Sequence, residues 1–339
     1  KVQAWFFPLM ILLIGCSNLI VIYVGGNQYI NGEIEIGVLA EFIIYVNMLT
    51  WPVAVVGWIT SIVQQAEASQ KRINAFLKEQ PEIEDGPGVH EKIEGNLSFK
   101  NVALHYPETK IQALTNINLE IPKGITLGVI GNIGSGKSTF LDLISRLYDP
   151  SQGEIGLDGR NLKEYQLEEL RSSIGYVPQN AFLFSESIED NIRFGSIDAK
   201  EKDIEEATKR AAVHQNITAF KEGYKTLLGE RGVTLSGGQI QRVSIARVFI
   251  KDPKILLLDD CLSAVDTDTE EEILKHLKSV SQDKTTIIVS HRISSIKHAD
   301  QIIVFENGEI VQQGKHVDLI GTEGYYKELS QKQQSDNSK

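Results

Sequence analysis

The chain has 339 residues, enough for about two domains, and its 42% hydrophobic and 23% charged residues are ordinary for a folded protein, which excludes wholesale disorder. Its 34 Lys and Arg residues against 45 Asp and Glu residues give a formal net charge of −11, and so acidic a balance argues against a protein that coats nucleic acid. Cys16 and Cys261 lie far apart and form no CxxC pair, so neither a disulfide framework nor a zinc site is indicated.

The N-terminal part contains two long, uncharged, apolar stretches. No Asp, Glu, Lys or Arg occurs between Val2 and Gly32, and the apolar centre of this stretch is residues 5–24. A second uncharged run covers residues 42–66, whose 25 residues would make about 38 Å of helix. A bilayer core needs about 20 apolar residues, so we expect two transmembrane helices. The alternatives fit less well, because a buried core helix would be shorter with a polar face, and a signal peptide would not come as two consecutive runs.

Charged residues flanking these runs set the expected orientation. Lys1 precedes the first run, and Lys71 and Arg72 follow the second, whereas the connecting residues 27–37 carry two glutamates and no basic residue. By the positive-inside tendency, both outer ends face the cytoplasm. We therefore expect a multi-pass protein of the cell (inner or plasma) membrane with its soluble part in the cytoplasm. Because the chain opens inside a membrane segment, we expect it to be the C-terminal part of a longer protein.

Composition divides the chain into four segments. Residues 1–77 hold the two apolar runs and a helical pattern that continues past the membrane as a stalk, and residues 78–93, rich in Pro, Gly and acids, mark a linker. From residue 94 to 330, strand-like and helix-like stretches alternate, which is typical of an α/β domain. Within it, Asn307-Gly308 between two apolar runs predicts a hairpin. Residues 331–339 are predicted to be a polar tail that frays.

A GxxxxGK[ST] phosphate loop follows the apolar strand predicted at residues 126–130 and opens a helix, which is the context this motif requires. Its glycines let backbone N–H groups turn toward phosphate oxygens, and the helix N-terminus adds partial positive charge. We expect Lys137 to reach the β- and γ-phosphates of ATP and Ser138 to hold Mg²⁺. The expected nucleotide-binding residues here are Gly131, Asn132, Ile133, Gly134, Ser135, Gly136, Lys137, Ser138 and Thr139.

Two adjacent acids, Asp259 and Asp260, end a continuous apolar run that is typical of a central parallel strand buried on both faces. Ligands of open α/β sheets bind beyond the carboxyl ends of the strands. We therefore expect Asp259 to act on Mg²⁺ through water, and Asp260 to orient or activate the attacking water. Taken alone, these acids could simply cap a helix, but the phosphate loop favours the metal site.

The stretch Leu235-Ser236-Gly237-Gly238-Gln239 precedes a helix with an apolar face and forms a second anion site at a helix N-terminus. One nucleotide does not need two such sites from one chain, so the simplest use of residues 236–239 is to cap an ATP held by another subunit. With this motif the whole chain resembles the ATP-binding cassette (ABC) family. Residues 95–329 resemble its nucleotide-binding domain, and residues 1–77 resemble the last two transmembrane helices of a half-transporter of the bacterial multidrug or lipid exporter type.

The resemblance implies a membrane α-helical segment followed by an α/β P-loop NTPase domain with an antiparallel β subdomain and a helical subdomain. It also implies roles for single residues. Tyr106 resembles the aromatic that stacks on adenine, Gln179 the glutamine that reaches Mg²⁺ and the transmembrane contact, and His291 the switch histidine at the γ-phosphate. Residues 263–266 resemble the loop that communicates between the two sites, and residues 229–232 resemble an exporter-type coupling loop.

Asp260 departs from the family pattern, because strongly hydrolysing members usually carry Glu at this position. Losing one methylene retracts the carboxylate by about 1.5 Å, and a misplacement of ~1 Å at a reacting centre can cost ~10²-fold in rate. We therefore expect ATP binding to survive and hydrolysis at this chain's own phosphate loop to be slow. This resembles the degenerate-site subunit of a heterodimeric exporter, whose LSGGQ motif completes the active site of its partner; a homodimer with two slow sites is the alternative.

Three classes of function fit these observations. An ATP-driven exporter is favoured, with Lys137, Gln179, Asp260 and His291 in catalysis and with a drug-like amphiphile, a lipid or a peptide as substrate. A regulatory or sensor subunit with low turnover is kept open by Asp260. A soluble ABC mechanical ATPase is disfavoured by the two apolar runs and the acidic charge balance. The expected partners are a second half-transporter and the lipid bilayer, without nucleic acid; the expected metal ligands are Ser138, Gln179 and Asp259.

Overall fold

A computed structural model describes residues 2–88, 91–229 and 235–337. By their contacts the residues form two compact units, which meet in sequence between Glu82 and Ile83. This boundary lies inside residues 78–93, the segment predicted to be a linker.

The first unit consists of two long helices, α1 (Val2–Ile30) and α2 (Ile36–Leu77), and each contains a stretch long and apolar enough to cross a membrane. Pro8 and Pro52 lie inside α1 and α2, respectively. Large apolar side chains are widely exposed, as Trp51 is at 75%, which suits a helix surrounded by lipid. The 42 residues of α2 correspond to about 63 Å, twice the ~30 Å bilayer core, so part of this helix can form the predicted stalk.

The second unit alternates strands and helices, as the sequence predicts. Its described strands are β1 (Leu97–His105), β2 (Gln112–Ile121), β3 (Thr126–Gly131), β4 (Gln152–Leu157), β5 (Arg160–Asn161), β6 (Ile174–Val177), β7 (Ile255–Asp259), β8 (Thr285–Val289), β9 (Gln301–Glu306) and β10 (Glu309–Gly314). Its described α-helices are α3 (Lys137–Ile144), α4 (Leu167–Ser173), α5 (Ile188–Arg193), α6 (Glu201–Arg210), α7 (His214–Thr218), α8 (Gly237–Lys251), α9 (Thr267–Val280), α10 (Ile293–Ile296), α11 (His316–Gly321) and α12 (Tyr325–Asn337).

The strands form two sheets. One is antiparallel with the order β2-β1-β4-β5, and the other has the order β10-β9-β3-β8-β7-β6 with parallel pairing from β9 to β6. The predicted hairpin is present, since β9 and β10 pair antiparallel across Asn307 and Gly308, whose φ values of 49° and 82° suit a tight two-residue turn. The α/β domain with an antiparallel β subdomain is therefore confirmed.

Strand β7 lies at the centre of the hydrophobic core. Leu256 and Leu258 pack into one buried cluster, which also contains residues of α5 to α8, whereas Ile255 and Leu257 pack into a second cluster with α3 and the antiparallel sheet. This alternation follows from the two-residue period of a strand buried on both faces. The carboxyl end of β7, where Asp259 lies, is consequently held from both sides.

The C-terminal segment differs from the predicted polar tail. Helix α12 runs on to Asn337, and it is docked by Tyr326 and Ser330, which are 0% and 6% exposed. Because these residues lie four positions apart, they share one face of the helix with Gln333. The polar composition of residues 331–337 belongs to a helix with one docked face, and composition alone does not reveal the docking partner.

Candidate nucleotide-binding site

The phosphate loop joins β3 to α3, and its backbone carbonyl groups bind the side chain of the lysine in the motif. Gly136 has φ 99°, and a Cβ at this position would lie 2.7 Å from the carbonyl oxygen of Ala113, so the chain needs glycine there. Lys137 Nζ donates hydrogen bonds to the carbonyl oxygens of Gly131 at 2.9 Å and Asn132 at 2.6 Å. The ammonium group is thus held at the mouth of the loop, where the motif requires it.

The two acids at the end of β7 lie beside this lysine. Burial lowers the pKa of Lys137, and the nearby carboxylates of Asp259 and Asp260 oppose that shift. Both acids are themselves nearly buried, at 4% and 7% exposure. The fold therefore brings the lysine of the phosphate loop and the strand-end acids, which the sequence predicts separately, close enough for their charges to interact.

Asp259 belongs to a buried cluster of oxygen atoms. Burial raises the pKa of Asp259, and a hydrogen bond with the Ser138 side chain works in the opposite direction. Burial raises the pKa of the Tyr176 phenol, and the nearby carboxyl groups of Asp259 and Asp142 raise it further. Burial also raises the pKa of Asp142. The sequence does not single out Tyr176 or Asp142, because nothing local to either residue indicates that both lie near Asp259.

The oxygen atoms of Ser138 and Asp259 fit a magnesium ion. Mg²⁺ is held in phosphate sites by one or two protein oxygens, with the remaining positions taken by water and substrate phosphates. Within the described residues there is no group of three or more His, Cys, Asp or Glu that could hold a metal by itself. A hydroxyl and one carboxylate at a phosphate loop are therefore the donor set expected for a nucleotide-bound Mg²⁺.

Asp260 and His291, which were both predicted to be catalytic, are brought together. The Asp260 N–H donates to the carbonyl oxygen of Val289 at 2.9 Å, so this residue continues the pairing of β7 with β8. Its Oδ1 accepts a hydrogen bond from the backbone N–H of His291 at 3.4 Å. Asp260 has φ 44°, a left-handed conformation that Asp tolerates better than most residues.

Tyr106, the predicted adenine-stacking residue, lies beside the phosphate loop. It follows β1, and its hydroxyl lies 2.9 Å from the Thr139 Oγ1. Its ring meets the Tyr148 ring edge to face, with centroids 5.1 Å apart. The aromatic side chain is therefore fixed relative to α3 and remains partly exposed, as a base-stacking residue needs to be.

The LSGGQ turn begins α8 and caps it. Ser236 Oγ accepts a hydrogen bond from the Gln239 N–H at 3.3 Å, and Gln239 Oε1 accepts one from the Ser236 N–H at 2.9 Å, which is a capping box. Ser236 and Gly237 are exposed, and among the described residues no hydrogen bond joins this turn to the phosphate loop. The predicted coupling loop falls largely on residues 230–232, which lie outside the described part of the chain.

Gln241 links two of the predicted loops, and sequence analysis missed it. Its Nε2 donates to the Gln179 carbonyl oxygen, and its Oε1 accepts from the Ala264 N–H, both at 3.4 Å. This hydrogen bond uses the backbone of Gln179, and the residue is exposed. The signal that could have revealed Gln241 is a glutamine on the buried face of α8, two residues after the LSGGQ motif.

Known proteins of one class match this architecture. Residues 114–263 match the family described as ABC transporter. The uncharacterized ABC transporter ATP-binding protein YknU of Bacillus subtilis (strain 168) is 42% identical over 326 residues, which cover 96% of this chain and 56% of that protein. The multidrug resistance-like ATP-binding protein MdlA of Escherichia coli (strain K12) is 39% identical over 334 residues, covering 98% of this chain and 57% of that protein.

A solved structure described as a bacterial Atm1-family ABC exporter with ATP bound matches with a TM-score of 0.81 and 31% identity, covering 96% of this chain and 57% of that chain. The chain therefore carries an ATP-binding domain of the ABC transporter ATPase family, preceded by two helices of membrane-spanning length. It spans little more than half the length of the curated relatives that it matches.

Proposed function

We propose that this chain provides the ATP-binding module and the last two transmembrane helices of an ABC exporter subunit, which moves an amphiphilic solute, lipid or peptide out of the cell. The observation that supports the proposal is that Tyr106, the phosphate loop and the acids at the end of β7 lie together, on a chain that also holds two helices long and apolar enough to cross a membrane. The similar solved structure described as an ABC exporter, and relatives named as putative multidrug export proteins, support an export function.

In this proposal ATP lies between two subunits. Tyr106 stacks on the base, Lys137 contacts the β- and γ-phosphates, and His291 contacts the γ-phosphate. Ser138 and Asp259 would hold Mg²⁺, which would neutralise charge on the phosphates. The exposed turn at Ser236 caps the nucleotide of the partner subunit through its backbone N–H groups and the α8 N-terminus. ATP closes the nucleotide-binding domains of the two subunits on each other, and the stalk transmits this movement to the membrane helices. Hydrolysis then returns the dimer to its open state.

Hydrolysis at this chain's own phosphate loop is proposed to be slow. Aspartate has a shorter side chain than glutamate. In addition, Asp260 Oδ1 accepts a hydrogen bond from the backbone N–H of His291, which holds the carboxylate near the end of β8. The partner subunit would then carry the faster site, completed by this chain's LSGGQ turn. A heterodimer is favoured for this reason, with the domain on the cytoplasmic side of the cell membrane.

The experiment is ATP turnover by the purified membrane complex in lipid vesicles, with Asp260→Ala compared with wild type. We expect little change, because this site contributes little to the total rate. Lys137→Ala is the matched control, since it removes the phosphate contact of the same site and is expected to weaken nucleotide labelling of this chain. A near-total loss of turnover in Asp260→Ala would refute the slow-site proposal.

The second candidate is a regulatory subunit that binds ATP with little turnover, and Asp260 is the observation that favours it. The effect of candidate transported compounds on ATP turnover distinguishes the exporter from the regulatory subunit. If this chain belongs to an exporter, a transported amphiphile stimulates ATP turnover in vesicles; if it is a sensor, turnover stays low with every compound tried.

A further inference from the structure

We propose that Gln333, in the C-terminal helix α12, is a positioning residue for the switch segment, defined here as residues 291–293. Through this contact α12 would set how well the site distinguishes ATP from ADP. The inference rests on the proposed contact of His291 with the γ-phosphate, and the experiment below tests the two separately.

The contact consists of two hydrogen bonds from one amide group. Gln333 Nε2 donates to the His291 carbonyl oxygen at 2.7 Å, and Gln333 Oε1 accepts from the Ile293 N–H at 2.9 Å. A primary amide carries a donor and an acceptor in one plane, so it can bind the backbone on both sides of Arg292. The backbone of the switch segment is therefore tied to α12 at two points.

The same segment also contacts an acid of the candidate nucleotide site and the end of β8. The His291 N–H donates to Asp260 Oδ1 at 3.4 Å, and the Arg292 N–H donates to Ser290 Oγ at 2.9 Å. Residues 291 and 292 lie between the end of β8 and the short helix α10, outside any strand or helix. Side-chain tethers, rather than a regular hydrogen-bond ladder, therefore fix the position of the His291 backbone.

Helix α12 is anchored to the rest of the domain near its start. Tyr326 is fully buried, its hydroxyl lies 2.7 Å from His316 Nδ1, and its N–H donates to Gln312 Oε1 at 3.2 Å. Gln333 follows Tyr326 by seven residues, two turns along the same face. The anchored side of the helix is thus the side that carries the amide.

The expected consequence is specific to the terminal phosphate. If Gln333 only stabilised the fold, its loss would lower the melting temperature without changing the relative affinities for ATP and ADP. If it positions His291, its loss weakens ATP alone, because ADP has no γ-phosphate. Loss of one or two ordinary hydrogen bonds corresponds to about a fivefold change in affinity.

The test uses the complete membrane complex and labels this chain with 8-azido-ATP on ice, competed by either ATP or ADP. The label is counted on this chain alone. The azido group is on the base, which in the proposed function lies against Tyr106 of this chain's own site, whereas the Ser236 turn contacts the partner's nucleotide at its phosphates. In Gln333→Ala we expect the half-inhibitory concentration of ATP to rise about fivefold while that of ADP stays unchanged. Gln333→Glu, which keeps the acceptor for Ile293 but loses the donor for His291, should act in the same direction. Gln334→Ala, an exposed glutamine on the same helix, is the matched control and should change neither value.

His291→Ala separates the two proposals. If His291→Ala leaves the ATP-to-ADP ratio unchanged, the γ-phosphate contact of the proposed function is wrong. If His291→Ala changes the ratio and both Gln333 variants leave it unchanged, the positioning role of Gln333 is wrong while the proposed function stands. If Gln333→Ala does not fold, the near-isosteric Gln333→Glu tests the same contact and decides between these outcomes.

Discussion

Replacing Asp260 by Glu tests the physical reason given for slow turnover. The substitution advances the carboxylate by one methylene, about 1.5 Å. Asp260 is 7% exposed and has φ 44°, and Glu tolerates this backbone less well, so we expect a stability cost of about 1 kcal/mol. A correction of ~1 Å at a reacting centre is worth up to ~10²-fold. We therefore expect ATP turnover at this chain's phosphate loop to rise by about 10- to 100-fold.

The assay is ATP turnover by the membrane complex in lipid vesicles for wild type, Asp260→Glu, and the double variant Asp260→Glu with Lys137→Ala. The double variant assigns the gain, because Lys137 lies inside this chain's own phosphate loop and contacts Gly131 and Asn132. If Asp260→Glu is no faster than wild type, the short side chain is not the cause of slow turnover. If the gain survives Lys137→Ala, the turnover comes from the partner's site and the explanation is also wrong.

Two further substitutions test the loop and the support of α12. In Gly136→Ala the new Cβ would lie 2.7 Å from the Ala113 carbonyl oxygen, whereas at Gly134, which also has positive φ, nothing lies within 4 Å. Gly136→Ala should therefore weaken 8-azido-ATP labelling more than Gly134→Ala. An equal loss in both variants would contradict the steric explanation. Burial lowers the pKa of His316 from its ordinary value near 6.5. The stability contributed by the neutral imidazole is therefore complete above pH ~6.5 and is lost as pH falls through the lowered pKa. Wild type should lose more melting temperature than His316→Gln between about pH 7.5 and about pH 5.5, and parallel losses would contradict this sign.

Local patterns predicted much of the fold. The apolar run before Asp259 became β7, and Asn307-Gly308 became the β9–β10 turn, because burial on both faces and a two-residue hairpin each leave a signal in adjacent residues. Residues 126–130 likewise fall within β3, and the phosphate loop opens α3. In these cases the neighbouring residues determine the conformation.

Contacts between distant residues were not predictable in this way. Gln333 and His291 are 42 positions apart, and Gln241 and Gln179 are 62 apart. A glutamine on a helix is normally a solvated residue, and its partners exist only after the helices have packed. The helix at residues 331–337 was missed for the same reason, since its docked face is visible only against the core that buries Tyr326.

Arg292 gives the switch segment a third connection, to the loop at residues 263–266. Its guanidinium donates to the Ser263 carbonyl oxygen at 3.2 Å, to the Val265 carbonyl oxygen at 3.4 Å and to Glu270 Oε2 at 2.7 Å. Glu270 is 2% exposed, and an unpaired buried carboxylate is costly, so the ion pair resists opening.

Three elements therefore meet at one short stretch of backbone: the end of β7 through Asp260, the loop at residues 263–266 through Arg292, and α12 through Gln333. A displacement of His291 has to strain these contacts or move their partners. Because coupling between sites needs a contiguous set of packed and hydrogen-bonded groups, this stretch is where a change at the nucleotide can reach the loop that resembles the family's link between the two sites.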